Sequence, residues 1–301
     1  MAGRRYKDFR SGDLNEELGI LLLKGVAAVA PVTRPEDVGI DAVATLLREG
    51  PGDFLTAENP FYVQFKSSST KIVKYQEHEV RWLEGLKLPF FIGSVRKAES
   101  VIDLYAAHRL SQVLLEKKYK TIELFLDPEN KTYLGIDPNT EEITDERRRV
   151  NIGPPLLTWS TQDFAKPEFL RDASICLKQY LDAEQKNIDF RGIRYLDIIR
   201  WETGKPPWCN QGGMHYQNIC QDEILNVFRS MTPHITALSL QAWMTNDRSA
   251  MELVVQLIDY MRRTGFDPDP NGIYHSKLAN WDQLAIPIDV LQKGNEDPKS
   301  A

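Results

Sequence analysis

Cysteine is scarce in this chain, with three residues (Cys176, Cys209, Cys220) in 301. That is too few for a disulfide framework and favours a reducing compartment. Long apolar runs are lacking as well. The longest, Leu18 to Val32, is interrupted by Lys24 and falls short of the roughly 20 residues a membrane span requires. The basic opening MAGRRYKDFR is not followed by an apolar core and a small-residue cleavage site, so no signal peptide, no membrane association and a cytoplasmic location are expected. An excess of positive charge is missing too: Lys plus Arg is 37 against Asp plus Glu at 43, a net charge of −6. A non-specific nucleic-acid coat protein would be basic, whereas an enzyme with one local basic groove and carboxylates around a metal can be acidic overall. The chain contains neither G-x-x-x-x-G-K-[ST] nor G-x-S-x-G, and its five His are scattered, which excludes a P-loop motor and gives no hydrolase triad.

What is present is ordinary globular material, 42% hydrophobic and 27% charged, long enough for a substantial core. Asp13 precedes a run with Glu16 and Glu17 in its first turn and Leu18, Ile20, Leu21, Leu22, Leu23, Val26, Ala27 and Val29 behind it. This reads as one helix, apolar on most sides, up to Pro31. Strands are expected over 39–47, 61–66, 89–95 and 120–126, and helices over 74–86 and 98–118. That order predicts an α/β mixed sheet flanked by helices over residues 1–127. Residues 128–160, rich in turn formers and alternating charge with Arg147-Arg148-Arg149 among acidic neighbours, read as a linker or surface hairpin. Residues 161–301 read as a mainly α-helical C-terminal region, with helices over 167–185, 193–200, 215–231 and 249–263, suited to recognition, regulation or oligomerisation.

The informative cluster is Glu16, Asp41, Gln64 and Lys66. Alternation along a strand puts Gln64 and Lys66 on one face, where a neighbouring strand can bring Asp41. In helical register Glu16 shares a stripe with Ile20, Leu23 and Ala27, so Glu16 is the inward carboxylate and Glu17 the reserve. Two carboxylates, an amide oxygen and a lysine suit an oxygen-bound Mg²⁺ or Mn²⁺ that activates water beside a phosphate. Taken singly, each residue has a plainer explanation: a turn cap, a solvated strand residue, a lysine reaching for water. Ser67, Ser68, Lys71 and Lys74 follow the cluster and could contact a phosphate backbone, although a solvated strand exit explains them equally. Cys209, His215, Cys220 and Asp222 lack the paired spacing of a structural zinc site.

The ordered set helix-Glu16, Asp37-Val38-Gly39-Ile40-Asp41, Val63-Gln64-Phe65-Lys66-Ser67, then Trp82 and Pro89 to Val95, resembles the PD-(D/E)XK nuclease superfamily over roughly residues 10–126. It is most similar to the Gln-variant branch that includes Mrr-like restriction enzymes and domains of bacterial phage-defence proteins. The resemblance implies a restriction-endonuclease-like fold and a Mg²⁺-dependent endonuclease leaving a 5′-phosphate, with nucleic acid, DNA favoured, as partner. It implies that Asp41 binds the metal, that Glu16 binds or supports it, and that Gln64 or the Phe65 backbone carbonyl completes it. Lys66 would position the attacking water. Gln64 removes one negative charge from the acidic version of the motif, which leaves open an inactive relative that binds nucleic acid or serves as a subunit of a defence or repair complex. The C-terminal half would engage a partner protein or a second copy.

Overall fold

The computed structural model describes residues 7–32, 39–50, 54–116, 118–129, 132–133, 141–191, 196–210 and 221–281. The chain divides into two compact units, Met1–Gln217 and Asn218–Ala301. The first is α/β and the second, over its described residues, is helical.

The first unit begins with α1 (Lys7–Leu23), followed by the edge strand β1 (Ala27–Pro31). The expected helix to Pro31 therefore stops about two turns early. Gly25 marks the break: a Cβ there would meet the Phe164 ring at 2.1 Å, and beyond it the chain pairs antiparallel with β2 (Ala42–Glu49). Pro31, without an N–H, is tolerated at the end of an edge strand. Nor is α1 covered all round, since Leu14 and Leu21 are exposed. Its inward stripe is Asn15, Gly19, Leu22 and Leu23, with Glu16 half-buried beside it and Glu17 exposed.

β3 (Leu55–Ser67), β4 (Ile72–Gln76), α2 (His78–Gly85), β5 (Phe90–Arg96), β6 (Val101–Ala106), α3 (Arg109–Glu116) and β7 (Thr121–Phe125) follow. The six-stranded main sheet has the order β1-β2-β3-β5-β6-β11, where β11 is Leu157–Ser160. It is mixed because β3 and β5 run parallel while the other neighbours run antiparallel. The segment 98–118 was expected as one helix. Its strand β6 is buried along nearly its whole length, so the period-2 signal vanishes and Val101, Leu104 and Tyr105 fit helical spacing equally well. Likewise, strand β12 (Ile198–Glu202) begins within the end of the segment expected as a helix over 193–200.

The described residues of 128–160, a segment expected as a linker or surface hairpin, contribute strands to the sheets instead. β10 (Arg147–Asn151) lies between β7, in parallel, and β9 (Glu142–Ile143), in a second sheet of order β4-β7-β10-β9. The alternating charge that suggested a loop belongs to the two faces of this sheet. On the outer face Glu123 pairs with Arg149 at 2.8 Å. On the inner face the fully buried Arg148 reaches Glu116 at 3.1 Å and Glu141 at 2.9 Å, and Arg109 also pairs with Glu141. A third small sheet joins β8 (Thr132–Tyr133), β12 and β13 (Trp208–Asn210).

Two apolar layers hold the unit together. On one face of the main sheet, α1 and α4 (Pro167–Phe190) cover Ala42, Ala44, Phe61, Val63, Phe65, Leu104 and Trp159. Helix α4 thus belongs to the first unit rather than to a separate helical region. On the other face, Ile92, Phe90 and Tyr105 pack with Val73, Tyr75, Ile122 and Leu124 of the second sheet. The second unit packs α5 (Gln221–Met244), α6 (Arg248–Arg263) and α7 (Ile273–Ala279) around Phe228, Ile235, Met251, Ile258 and Met261. Asp247 caps α6 by accepting the Ala250 N–H at 3.0 Å.

Two stability measurements follow. A Cβ on Gly19 would stand 2.4 Å from Phe65 Cδ1. Overpacking of about 1–3 kcal/mol should outweigh the roughly 1 kcal/mol helix-propensity gain, so Gly19→Ala should lower the denaturation midpoint. His108 is buried against Trp201, ring centroids 4.5 Å apart. Burial, aided by the Arg109 charge, pushes its pKa down from 6.5 to about 3. Unfolded chains bind this proton first, so stability from His108 should be lost as pH falls from 6.5 toward 3. Unfolding curves across that range should show His108→Gln with a shallower acid slope, by up to about 1.4 kcal/mol per pH unit.

Candidate functional site

The sheet register brings three of the four expected residues to one face. Ala42 pairs with Val63 in the antiparallel β2–β3 ladder, which sets Asp41 opposite Gln64. Ala42 and Val63 belong to the layer under α1 and α4, so Asp41, Gln64 and Lys66 project to the other face, toward the second sheet.

Asp41 is fixed by its backbone and its side chain. Its N–H donates to Val63 O at 3.0 Å, and its carbonyl accepts the Val32 N–H at 2.9 Å. Its Oδ2 accepts the Phe65 N–H at 2.5 Å. The approach to Asp41 runs through Gly39, whose φ of +91° is one that side-chain-bearing residues rarely adopt. Trp82 of α2 lies over Gly39 and packs edge-on against Phe90, centroids 5.8 Å apart. The expected motif of a helix-borne Trp after the Gln-x-Lys strand thus has a packing role here.

Gln64 is 7% exposed. Its Oε1 accepts a 2.7 Å hydrogen bond from the hydroxyl of Tyr75 on β4. Burial raises the Tyr75 pKa, and the carboxylates of Asp41 and Glu79 raise it further, so the phenol stays a donor. Tyr75 was missed in the sequence because 74–86 read as a helix; the alternating exposure of Ile72–Gln76 is the strand signal. Lys66 is half-buried and pairs across the parallel ladder with Ser94.

Glu16 is carried by α1, which packs on the opposite layer of the sheet. Helix α1 lies against β3 and β5, and Gly19, one turn after Glu16, stands against the Phe65 ring. Asn15 is a second residue that sequence reasoning missed. It is 6% exposed, and among the described residues its Oδ1 has no hydrogen-bond partner. Its alignment with Gly19, Leu22 and Val26 was the available signal.

The four residues proposed to contact nucleic acid separate. Ser68 and Lys71 line a polar cleft beside Lys66. Ser67 is on the opposite face from Lys66, its hydroxyl 2.9 Å from that of Ser69. Lys74 pairs in register with Glu123 on the outer face of the second sheet, away from Gln64 because Tyr75 takes the inner face. Of the weak zinc set, Cys209 is exposed, while His215, Cys220 and the Asp222 side chain lie outside the described residues.

The donors are all oxygen: carboxylates of Asp41 and Glu16, the Gln64 amide oxygen and the Phe65 carbonyl. This chemistry fits a hard divalent cation. Among the described residues no group of three or more His, Cys, Asp or Glu is arranged to hold a metal ion; the set here contains two such residues. No helix among the described residues is long and apolar enough to cross a membrane. Comparison of the chain with family models, with curated proteins and with solved structures found no match in any of the three.

Tyr75→Phe removes the donor to a buried amide oxygen without changing the packed volume. It should destabilise the first unit by about 1–3 kcal/mol, read as a lower urea midpoint at unchanged m-value.

Proposed function

We propose that this chain is a metal-dependent nuclease hydrolysing phosphodiester bonds, an endonuclease with DNA as the favoured substrate, in bacterial phage defence or restriction. The observation that carries the reading is the shared face of Asp41, Gln64 and Lys66 on paired strands, with the Phe65 amide holding Asp41 and the Tyr75 hydroxyl holding Gln64. Asp41, Glu16, the Gln64 oxygen and the Phe65 carbonyl are the groups that would hold Mg²⁺ or Mn²⁺. Such an ion supplies a water of lowered pKa and a counter-charge to the phosphate. The Lys66 ammonium offers N–H donors to the attacking water and to a phosphate oxygen. Hydrolysis then breaks the P–O3′ bond and leaves a 5′-phosphate. The role of the C-terminal helical unit would be to bind a partner protein or a second copy, for which the exposed Leu238, Leu240, Met244 and Leu253 on α5 and α6 offer apolar contact.

A second reading, a nuclease-fold module that binds nucleic acid without cutting it, is favoured by one observation. The Gln64 oxygen is already engaged by Tyr75, and it brings no charge to a cation. Cleavage of plasmid, linear duplex, single-stranded DNA and RNA in Mg²⁺ or Mn²⁺ against EDTA separates the two. On the nuclease reading, Asp41→Asn and Lys66→Ala, each checked for folding, should lower the rate at least about a hundredfold. Binding without cutting by wild type in either metal would favour the second reading.

A further inference from the structure

Beside Lys66 a polar cleft of about 260 Å³ opens between the two sheets. The turn between β3 and β4 gives it Ser68, Thr70 and Lys71, and β5 and β6 give Arg96, Asp103 and Tyr105. Its position relative to the site is fixed by register. Lys66 pairs with Ser94, and Ser94 with Asp103. Two strand spacings of roughly 4.8 Å therefore separate Lys66 from Asp103, the reach of a neighbouring nucleotide on the same strand.

The charges decide what such a cleft would hold. Arg96 is committed to Asp103, at 3.1 and 3.2 Å, and to Glu99 at 2.7 Å. Thr158 donates to Asp103 at 2.8 Å. The floor is thus polar but close to neutral, a poor seat for a phosphate dianion. Tyr105 is buried there, and burial together with Asp103 and Asp127 keeps its hydroxyl protonated. Leu126 and Pro128 supply an apolar wall. A flat, neutral guest with a polar edge matches this lining, and the volume is that of one small ligand rather than a chain. The rim differs: Lys71 is exposed there beside the hydroxyls of Ser68 and Thr70, which suits a backbone phosphate.

We infer that this cleft takes up one unpaired nucleotide next to the bond that is cut, with its base on the Asp103–Tyr105 floor and its phosphate at the Lys71 rim. The substrate is then nucleic acid with an extruded or single-stranded base at that position, rather than a continuous duplex. This rests on the nuclease reading, and the experiment keeps the two apart. Two duplexes are compared, one continuous and one with a single bulged nucleotide, together with a version whose bulged position is abasic. Cutting is followed in Mg²⁺, and binding by fluorescence anisotropy in EDTA. The bulged duplex should be preferred about tenfold, the scale of one base contact. The abasic version should lose that preference, as should Thr70→Trp, which fills the cleft. Lys71→Glu, at an exposed position, tests the rim if Thr70→Trp fails to fold, and should weaken binding of the bulged duplex. Preferential binding of the bulged duplex without any cutting would overturn the nuclease reading and leave the cleft assignment standing. Equal handling of both duplexes, an undiminished preference for the abasic version or in a folded variant, or no binding to any duplex would overturn the cleft assignment.

Discussion

The ring of Phe65 is the point at which helix, sheet and candidate site meet. It lies between two glycines: a Cβ on Gly19 of α1 would come within 2.4 Å of it, and one on Gly93 of β5 within 2.8 Å. Only at that separation can α1 lie on the sheet with Leu22 and Leu23 fully buried. The backbone N–H of the same residue is donated to Asp41. Steric contact on one face of β3 therefore sets the position of a carboxylate on the other. Interior side chains pack at crystal-like density, so a shift of α1 would be felt at Asp41 through β3 rather than absorbed between them.

The opposite face is governed by hydrogen bonding rather than close packing. Gln64 is buried, and a buried amide oxygen without a donor is costly. Tyr75 meets that need from a strand of the second sheet, with the Trp82 ring tilted beside it, centroids 6.3 Å apart. Residues that contribute no charge thus hold the orientation of the groups that would carry the chemistry. The second sheet in turn depends on a buried ionic network: Arg148 and Arg109 share Glu141, and Arg148 also reaches Glu116. Removing one member would strand the others without compensation.

Much of the strand framework was legible in the sequence, because β2, β3 and β5 of the main sheet and β7 of the second contain runs of β-formers bounded by turn residues. The common face of Asp41, Gln64 and Lys66 was legible for the same reason, since alternation follows from strand geometry alone. Three features were not. Strand β6 is buried along most of its length and so carries no alternation to distinguish it from a helix. Strand β10 alternates charge with charge and apolar residues because its ion pairs lie on both faces, a pattern identical to that of a solvated loop. Asn15 and Tyr75 were hidden by the same limit: periodicity shows which way a residue points, but not which element will arrive opposite it. Helix α4 reads as the start of a helical region, yet its apolar face is used by β2 and β3, a tertiary choice that local sequence does not encode.

The path of the chain between the two sheets has a consequence for how the first unit assembles. From β3 the chain leaves for β4 in the second sheet, returns for β5 and β6, leaves again for β7, β9 and β10, and returns for β11. The central parallel pair β3–β5 therefore closes a loop that contains a strand of the other sheet. Closing such loops precedes the contacts that reward them. Neither sheet can be completed while the other is absent, so the unit should gain and lose its structure as one cooperative body. The chain around Asp127, where composition changes most, is for this reason a seam in the sequence that corresponds to no seam in the fold.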